Sequence, residues 1–342
     1  MISIKFTNTH PYKGESYFSF FLQPLLKVIE SANCPVKILE DNENTVPDIE
    51  LFGVSGERKH LTDSKAKYKI FFTGENVSSS NILDRLKQYD DNCLADVTLS
   101  MGFDFYQEDN YLRFPLWLLY FFRPDDSKDI IRAKLAKFGI VNKKEKFCAL
   151  IARHDATKWK THTSPNILIP GNSNNLRTEI YNAVSQLGRV DCPSVFLHND
   201  NSLKTQFADN KIEYLKQYKF NICPENSRSS GYVTEKIFEA LAAGCIPIYN
   251  GYSRDPEPGI INPKIILWFE YGENNSEVLK CIQQLQRDER KYTDFIKQGF
   301  FVDTAVDKIS AYLSAFCGRM EKIAQDCLDS SEKHRHRLQI LF

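Results

Sequence analysis

Residues 218–251, YKFNICPENSRSSGYVTEKIFEALAAGCIPIYNG, hold a strand, a loop, a helix and a second strand in close succession. An apolar strand ends at Cys223, and the loop PENSRSSG that follows is rich in turn formers. VTEKIFEALAAG then reads as a helix. Thr234 stands where a cap belongs, Ile237, Ala240 and Leu241 share one apolar face, and Gly244 stops it. A buried strand, CIPIY, comes next. Strand, helix and strand packed this tightly constrain the chain to an α/β architecture with parallel strands.

The same alternation runs through both halves. ISIKFT (2–7), VKIL (36–39), IELFG (49–53), KIFFT (69–73) and DVTLSMG (96–102) read as strands. YFSFFLQPLLKVIES (17–31) has helical spacing, with Pro24 as a kink or a start. Residues 124–146 are charged and read as a connection carrying one solvated helix. FCALIAR (147–153) restarts the alternation, with helices expected at 174–186, 204–216 and 233–243, and mostly helix over 275–327. Two doubly wound parallel sheets are therefore expected, divided as 1–140 and 141–342. Ligands of such sheets bind off the carboxyl ends of strands, at helix N-termini, so loops after strands are where chemistry is sought.

Composition excludes several classes. Lys+Arg and Asp+Glu are both 44, so there is no basic surplus for nucleic acid. Hydrophobic residues are 42% and charged residues 26%, which excludes wholesale disorder. No two of the nine cysteines are three apart, so no CxxC unit exists, and buried thiols of a reducing compartment are expected. The longest apolar run, FPLWLLYFF (114–122), is too short to span a bilayer, which takes about 20 helical residues. No GxGxxG follows a strand and no GxxxxGK occurs, which disfavours nicotinamide enzymes and P-loop kinases.

Glu235 and Lys236 fall in the first turn of the 233–243 helix. A glutamate suits the positive end of the helix dipole; a lysine opposes it. Lys236 is either a solvated helix residue or a cation placed to meet an anion such as a diphosphate.

Tyr218–Gly251 resembles the signature of the alpha-1,3/1,4-fucosyltransferases, glycosyltransferase family ten. The resemblance rests on Tyr218-Lys219-Phe220, Glu225-Asn226, Gly231-Tyr232-Val233-Thr234-Glu235-Lys236 and Ile246-Pro247-Ile248-Tyr249, at matching spacing. FFTGEN (71–76) resembles the family's Gly-Glu-Asn loop, and YLRFPLW (111–117) its Leu-Arg-x-Pro-Leu segment. Recognisable stretches cover roughly 68–123 and 175–300. The chain departs from the pattern at Arg153-His154, over 155–174, and in DCPSVFLHND (191–200).

The resemblance implies a GT-B fold, two Rossmann-like domains facing across a cleft, and an inverting transfer of L-fucose from GDP-fucose. The acceptor implied is a GlcNAc or Glc hydroxyl of a lactosamine-type glycan, free or lipid-linked, giving an alpha-1,3 or alpha-1,4 linkage. Glu75 is the expected base, its pKa raised by burial. Lys236 and Arg177, the latter near the start of a helix, are expected to meet the diphosphate. Glu235 is expected to bind hydroxyls and steady a cationic transition state. Asn226 and Tyr232 are expected donor-binding contacts, with a core role for Tyr232 as the alternative. Retaining relatives of this architecture often carry a second Glu eight positions on, but Ala243 and Pro247 follow Glu235 and Glu239 at that distance, which favours inversion.

No Asp-x-Asp occurs, and His154 and His162 are too loosely spaced for a ligand set, so no obligatory metal is expected. Acceptor loops are expected at 8–16, at 54–66 and after Gly74. With no leader or anchor read in the sequence, a cytoplasmic bacterial enzyme is expected. The tail SSEKHRHRLQILF (330–342) is basic then apolar; a docked segment and a peripheral contact with the inner face of the cytoplasmic membrane both remain open. A transferase of another nucleotide sugar, and an inactive glycan- or nucleotide-binding relative, are the alternative functions.

Overall fold

In the computed structural model the described residues are 1–9, 15–40, 43–77, 84–139, 144–153, 155 and 176–340. By contacts the chain forms two compact units, Met1–Asp126 with Ser310–Phe342, and Ser127–Ile309.

The first unit is built on β1 (Ile2–Thr7), α1 (Glu15–Ser31), β2 (Val36–Leu39), β3 (Ile49–Phe52) and α2 (Lys59–Asp63). It continues through β4 (Tyr68–Phe72), α3 (Asp84–Lys87), β5 (Leu99–Gly102), β6 (Tyr111–Arg113) and α4 (Trp117–Phe121). Its six strands run parallel in the order β2-β1-β3-β4-β5-β6. The second unit carries α5 (Lys128–Leu135), β7 (Lys146–Leu150), α6 (Leu176–Ser185), β8 (Val190–Asp191), α7 (Ser202–Phe207) and α8 (Lys211–Leu215). Then come β9 (Tyr218–Ile222), α9 (Glu235–Ala242), β10 (Ile246–Tyr249), β11 (Leu267–Trp268), α10 (Ser276–Arg287) and α11 (Glu289–Ile296). The last helix, α12, runs Ala305–Ile340. The second sheet is also parallel, ordered β11-β10-β9-β7-β8.

Both sheets reverse direction of growth once, between β1 and β3 and between β7 and β9. Such a switch point opens a crevice at the strands' carboxyl ends. The central strands are buried on both faces, as for β9, where Tyr218, Phe220 and Ile222 on one face are at most 1% exposed and Lys219 and Asn221 on the other at most 8%.

The compact units differ from the 1–140 and 141–342 division expected from the sequence, because residues 310–342 join the first unit. Phe316 is fully buried there against Phe20, Phe21 and Phe114. The single helix expected at 204–216 is two, broken by left-handed Ala208 and Asp209 and restarted at Asn210, whose side chain accepts from Glu213 N–H. Pro24 lies inside α1 rather than at its start. The tail is helical to Ile340, but its side chains beyond Ser331, and most of the 155–174 stretch with His154 and His162, lie outside the described residues. Among the described residues no helix is long and apolar enough to cross a membrane.

Candidate active site

The β9–α9 connection is local in origin. The α9 face of Ile237, Phe238, Ala240 and Leu241 is fully buried, and Gly244 ends the helix at φ +70°, a conformation that favours glycine. Thr234 holds the N-cap position but makes no side-chain cap. Its hydroxyl donates instead to Glu225 Oε2 at 2.7 Å and accepts from Lys236 Nζ at 2.8 Å.

Glu225 is the buried hub of this loop. Its Oε1 accepts from Thr234 N–H at 2.9 Å and from the Tyr249 hydroxyl at 3.1 Å. Lys236 Nζ lies 3.6 Å from Glu225 and 3.7 Å from Glu235. Burial raises the Glu225 pKa above the usual carboxylate range, against the pull of Lys236 and the Thr234 hydrogen bonds. One carboxylate thus ties the loop to the start of α9 and to β10. In the sequence Glu225 stands in the motif with no role of its own, and the apolar Cys223-Pro224 before it is the one signal of its burial.

Arg177, in the first turn of α6, is 8% exposed and donates to Asn226 Oδ1 at 2.6 Å. Burial lowers its pKa, opposed by nearby Tyr271, Asp155, Glu225 and Tyr232. The sequence-predicted Arg177, Asn226, Tyr232, Glu235 and Lys236 are therefore gathered at one end of one sheet. Asn226 is exposed, whereas Tyr232 is 2% exposed, so its ring packs inside the loop. A cavity of about 20 Å³ lies at the β7/β9 switch point, and Arg177, Lys236, Asn221 and Glu239 are among its lining residues. Two cations, Arg177 and Lys236, thus lie together in this corner near the N-terminal end of α9, with Glu225, Glu235 and Glu239 around them.

Glu235 is partly buried, its side chain 13% exposed. Burial raises its pKa, but Lys236 and then Lys211 outweigh that and hold the carboxyl below its ordinary value. Glu239, one turn further on, is pushed up to about 7, chiefly by burial. Neither Glu239 nor Lys211 stands out in the sequence as a site residue; the one signal is a second glutamate four residues beyond Glu235.

Tyr218, the first residue of the signature, lies away from this corner. Its hydroxyl donates to Asp191 at 2.9 Å and lies 2.8 Å from the Tyr214 hydroxyl, which donates to Asp200 at 2.7 Å, so the cluster joins β9 to β8 and α8.

In the first unit, Glu75 is half-buried just after β4. Its backbone N–H donates to Thr73 Oγ1, which donates to the Glu75 carbonyl, both at 3.0 Å, shaping a tight bend. A cavity of about 610 Å³ in this unit is lined mainly by polar residues, among them Asn8, Glu50, Ser64, and His60 and Asp63 of α2, so part of the 54–66 stretch expected as a loop is helical. Glu50 is buried there, accepting from Thr7 and Ser64.

Residues 142–337 match the sequence profile of "Glycosyltransferase family 10 (fucosyltransferase) C-term", and 32–120 match "Alpha-(1,3)-fucosyltransferase FucT N-terminal domain". The Alpha-(1,3)-fucosyltransferase FucT of Helicobacter pylori is 28% identical over 276 residues, 75% of this chain and 52% of that protein. The Putative fucosyltransferase R654 of Acanthamoeba polyphaga mimivirus is 29% identical over 150 residues, 41% of this chain and 25% of that protein. The chain thus spans about half, or less, of these relatives' lengths. A crystal structure of an alpha1,3-fucosyltransferase matches at TM-score 0.58 and 23% identity, over 93% of this chain and 90% of that one. One of that activity with GDP-fucose matches at 0.53 and 22%, over 92% and 90%. These likenesses show the α/β fold of the GT-B transferases, and the sequence match shows that the chain belongs to glycosyltransferase family 10, the fucosyltransferases.

Proposed function

We propose that this chain transfers L-fucose from GDP-fucose, with inversion, to a hydroxyl of GlcNAc or Glc in a lactosamine-type glycan, free or lipid-linked, forming an alpha-1,3 or alpha-1,4 linkage. The observation that carries the reading is the gathering of Arg177, Lys236 and Glu235 at the β7/β9 switch point of a family 10 chain. Lys236 and Arg177 meet the charge of the departing diphosphate, so no divalent ion is required for that step. Asn226 holds the Arg177 guanidinium at 2.6 Å, which fixes its aim. Glu235, kept ionised by its two lysines, steadies positive charge on the sugar. Tyr232 supports the loop from within, beside Arg177. Glu75 takes the acceptor proton. The acceptor oxygen then bonds to the anomeric carbon, the bond from that carbon to the β-phosphate oxygen breaks, and GDP leaves with the electron pair.

The test is GDP release from GDP-fucose in EDTA, with and without N-acetyllactosamine. Acceptor-dependent release that is lost in Glu75→Ala and in Lys236→Ala supports the reading. No release together with no calorimetric binding of GDP-fucose overturns the donor assignment.

A further inference from the structure

Helix α9 carries Glu235 and Glu239 four residues apart, on one face, each with its side chain 13% exposed. Like charges at this spacing destabilise a helix, so packing alone gives no reason for the pair. Two lysines offset it. Lys236 sits beside Glu235, and Lys211 Nζ reaches across from α8 to both oxygens of Glu239 at 3.2 and 3.3 Å. Lys211 is the first residue of its helix, where a cation opposes the dipole; Glu239 is what makes that placement tolerable. Glu239 also lines the switch-point cavity together with Arg177 and Lys236.

We propose that Glu239, clamped by Lys211, is a positioning residue of the donor site, and that binding of a nucleoside diphosphate there is coupled to uptake of a proton by Glu239. This rests on the assignment of that corner to the donor diphosphate. The charged groups facing Glu239 are Glu235 and Lys236 on its own helix, Lys211 on α8, and, around the shared cavity, Arg177 on α6. Glu225 on the loop after β9 acts on it through Lys236. Burial, with Glu235 adding to it, pushes Glu239 up to about 7 against Lys211, so the group is part-protonated near neutrality. An incoming diphosphate brings negative charge beside this carboxylate and draws on Lys236, which lines the same cavity. Both effects raise its pKa further, so the complex holds the proton more tightly than the free protein. Glu235 stays ionised while Glu239 absorbs the added negative charge.

The sign follows. A Glu239 pKa that rises on binding makes binding tighter as pH falls through 7. A rise of one unit from about 7 makes the association constant at pH 6 on the order of fivefold that at pH 8. GDP titrates in the same range, so the comparison is with Glu239→Gln, in which the nucleotide's own ionisation is unchanged. The experiment is calorimetric titration of GDP into the full chain at pH 6, 7 and 8, in buffers of differing ionisation enthalpy. Wild type is expected to take up more protons at pH 7 than Glu239→Gln, and its pH 6 to pH 8 affinity ratio is expected to be about fivefold larger. Lys211→Met removes the clamp, raises Glu239 in the free protein and moves the uptake to higher pH. Equal proton uptake in wild type and Glu239→Gln, with GDP bound by both, overturns this inference alone. Absence of GDP binding to wild type overturns the donor site with it. Should Glu239→Gln not fold, an uptake in Lys211→Met with an unmoved pH dependence overturns the coupling.

Discussion

Glu225→Ala is the most informative single perturbation, because it separates the loop's scaffold from its chemistry. The carboxylate accepts three hydrogen bonds, from Thr234 N–H, the Thr234 hydroxyl and the Tyr249 hydroxyl, with Lys236 Nζ at 3.6 Å. Thr234, Glu225 and Tyr249 are each at most 7% exposed, so little water reaches the donors left behind. The Thr234 hydroxyl can rotate to another acceptor, but the backbone N–H and the fully buried tyrosine hydroxyl cannot readily do so. Each buried donor left unsatisfied costs about 1–3 kcal/mol, so alanine loses about 2–6 kcal/mol. That is a large share of a stability that is about 5–15 kcal/mol for a typical domain. Glu225→Gln keeps the volume and the acceptor Oε1, which serves Thr234 N–H and Tyr249. It sheds the desolvation of a charge, which is what raises this pKa, but takes away the counter-charge of Lys236. These terms oppose, and glutamine is expected within about 1 kcal/mol of wild type. The assay is urea denaturation at pH 7, followed by fluorescence and circular dichroism with coincidence of the transitions checked. An alanine variant within about 1 kcal/mol of glutamine refutes the hub, because the hydrogen bonds would then be worth nothing net. The pH dependence gives a second check. Since the folded chain holds this proton more tightly than the unfolded one, the contribution of Glu225 is fully present below the unfolded value of 4.5 and falls as pH rises through the window above it. Glu225→Gln removes that slope.

Lys236→Ala and Arg177→Ala each remove a charged donor worth about 1.5–3 kcal/mol, so calorimetry should show GDP weakened by about 10–150-fold, and less than threefold in both argues against a diphosphate corner. Glu75→Gln should lower kcat by about 10²–10⁴ in steady-state assays while GDP affinity stays within twofold, and a matching loss of GDP affinity would assign Glu75 to folding or donor binding. Phe316→Ala should destabilise the chain by about 3–5 kcal/mol in thermal melts, because its ring is buried among Phe20, Phe21 and Phe114. A loss under 1 kcal/mol would show that residues 310–342 contribute little to the first unit.

What was legible in the sequence was local. The parallel strands, α9 and its stop at Gly244 follow from patterns complete within a few residues, namely apolar periodicity, a cap position and one left-handed glycine. The roles expected of Asn226, Glu235, Lys236 and Arg177 came from the family resemblance carried by those segments. What only the tertiary structure decided was pairing across long separations. Arg177 meets Asn226 49 positions away. Lys211 meets Glu239 28 positions away, and Phe316 returns to the phenylalanines of α1. Glu225 stood in the sequence only as part of the motif; its role comes from burial, which strips it of water and leaves it two Thr234 donors and Tyr249 to hold. For Tyr232, expected either as a donor contact or in the core, only the folded chain shows that the side chain is 2% exposed. Periodicity says which face of an element turns inward; it does not say what that face meets, because the partner is set by how sheets and helices close on one another. Burial and neighbouring charge, which fix the protonation of Glu235 and Glu239, exist only once that closure is made.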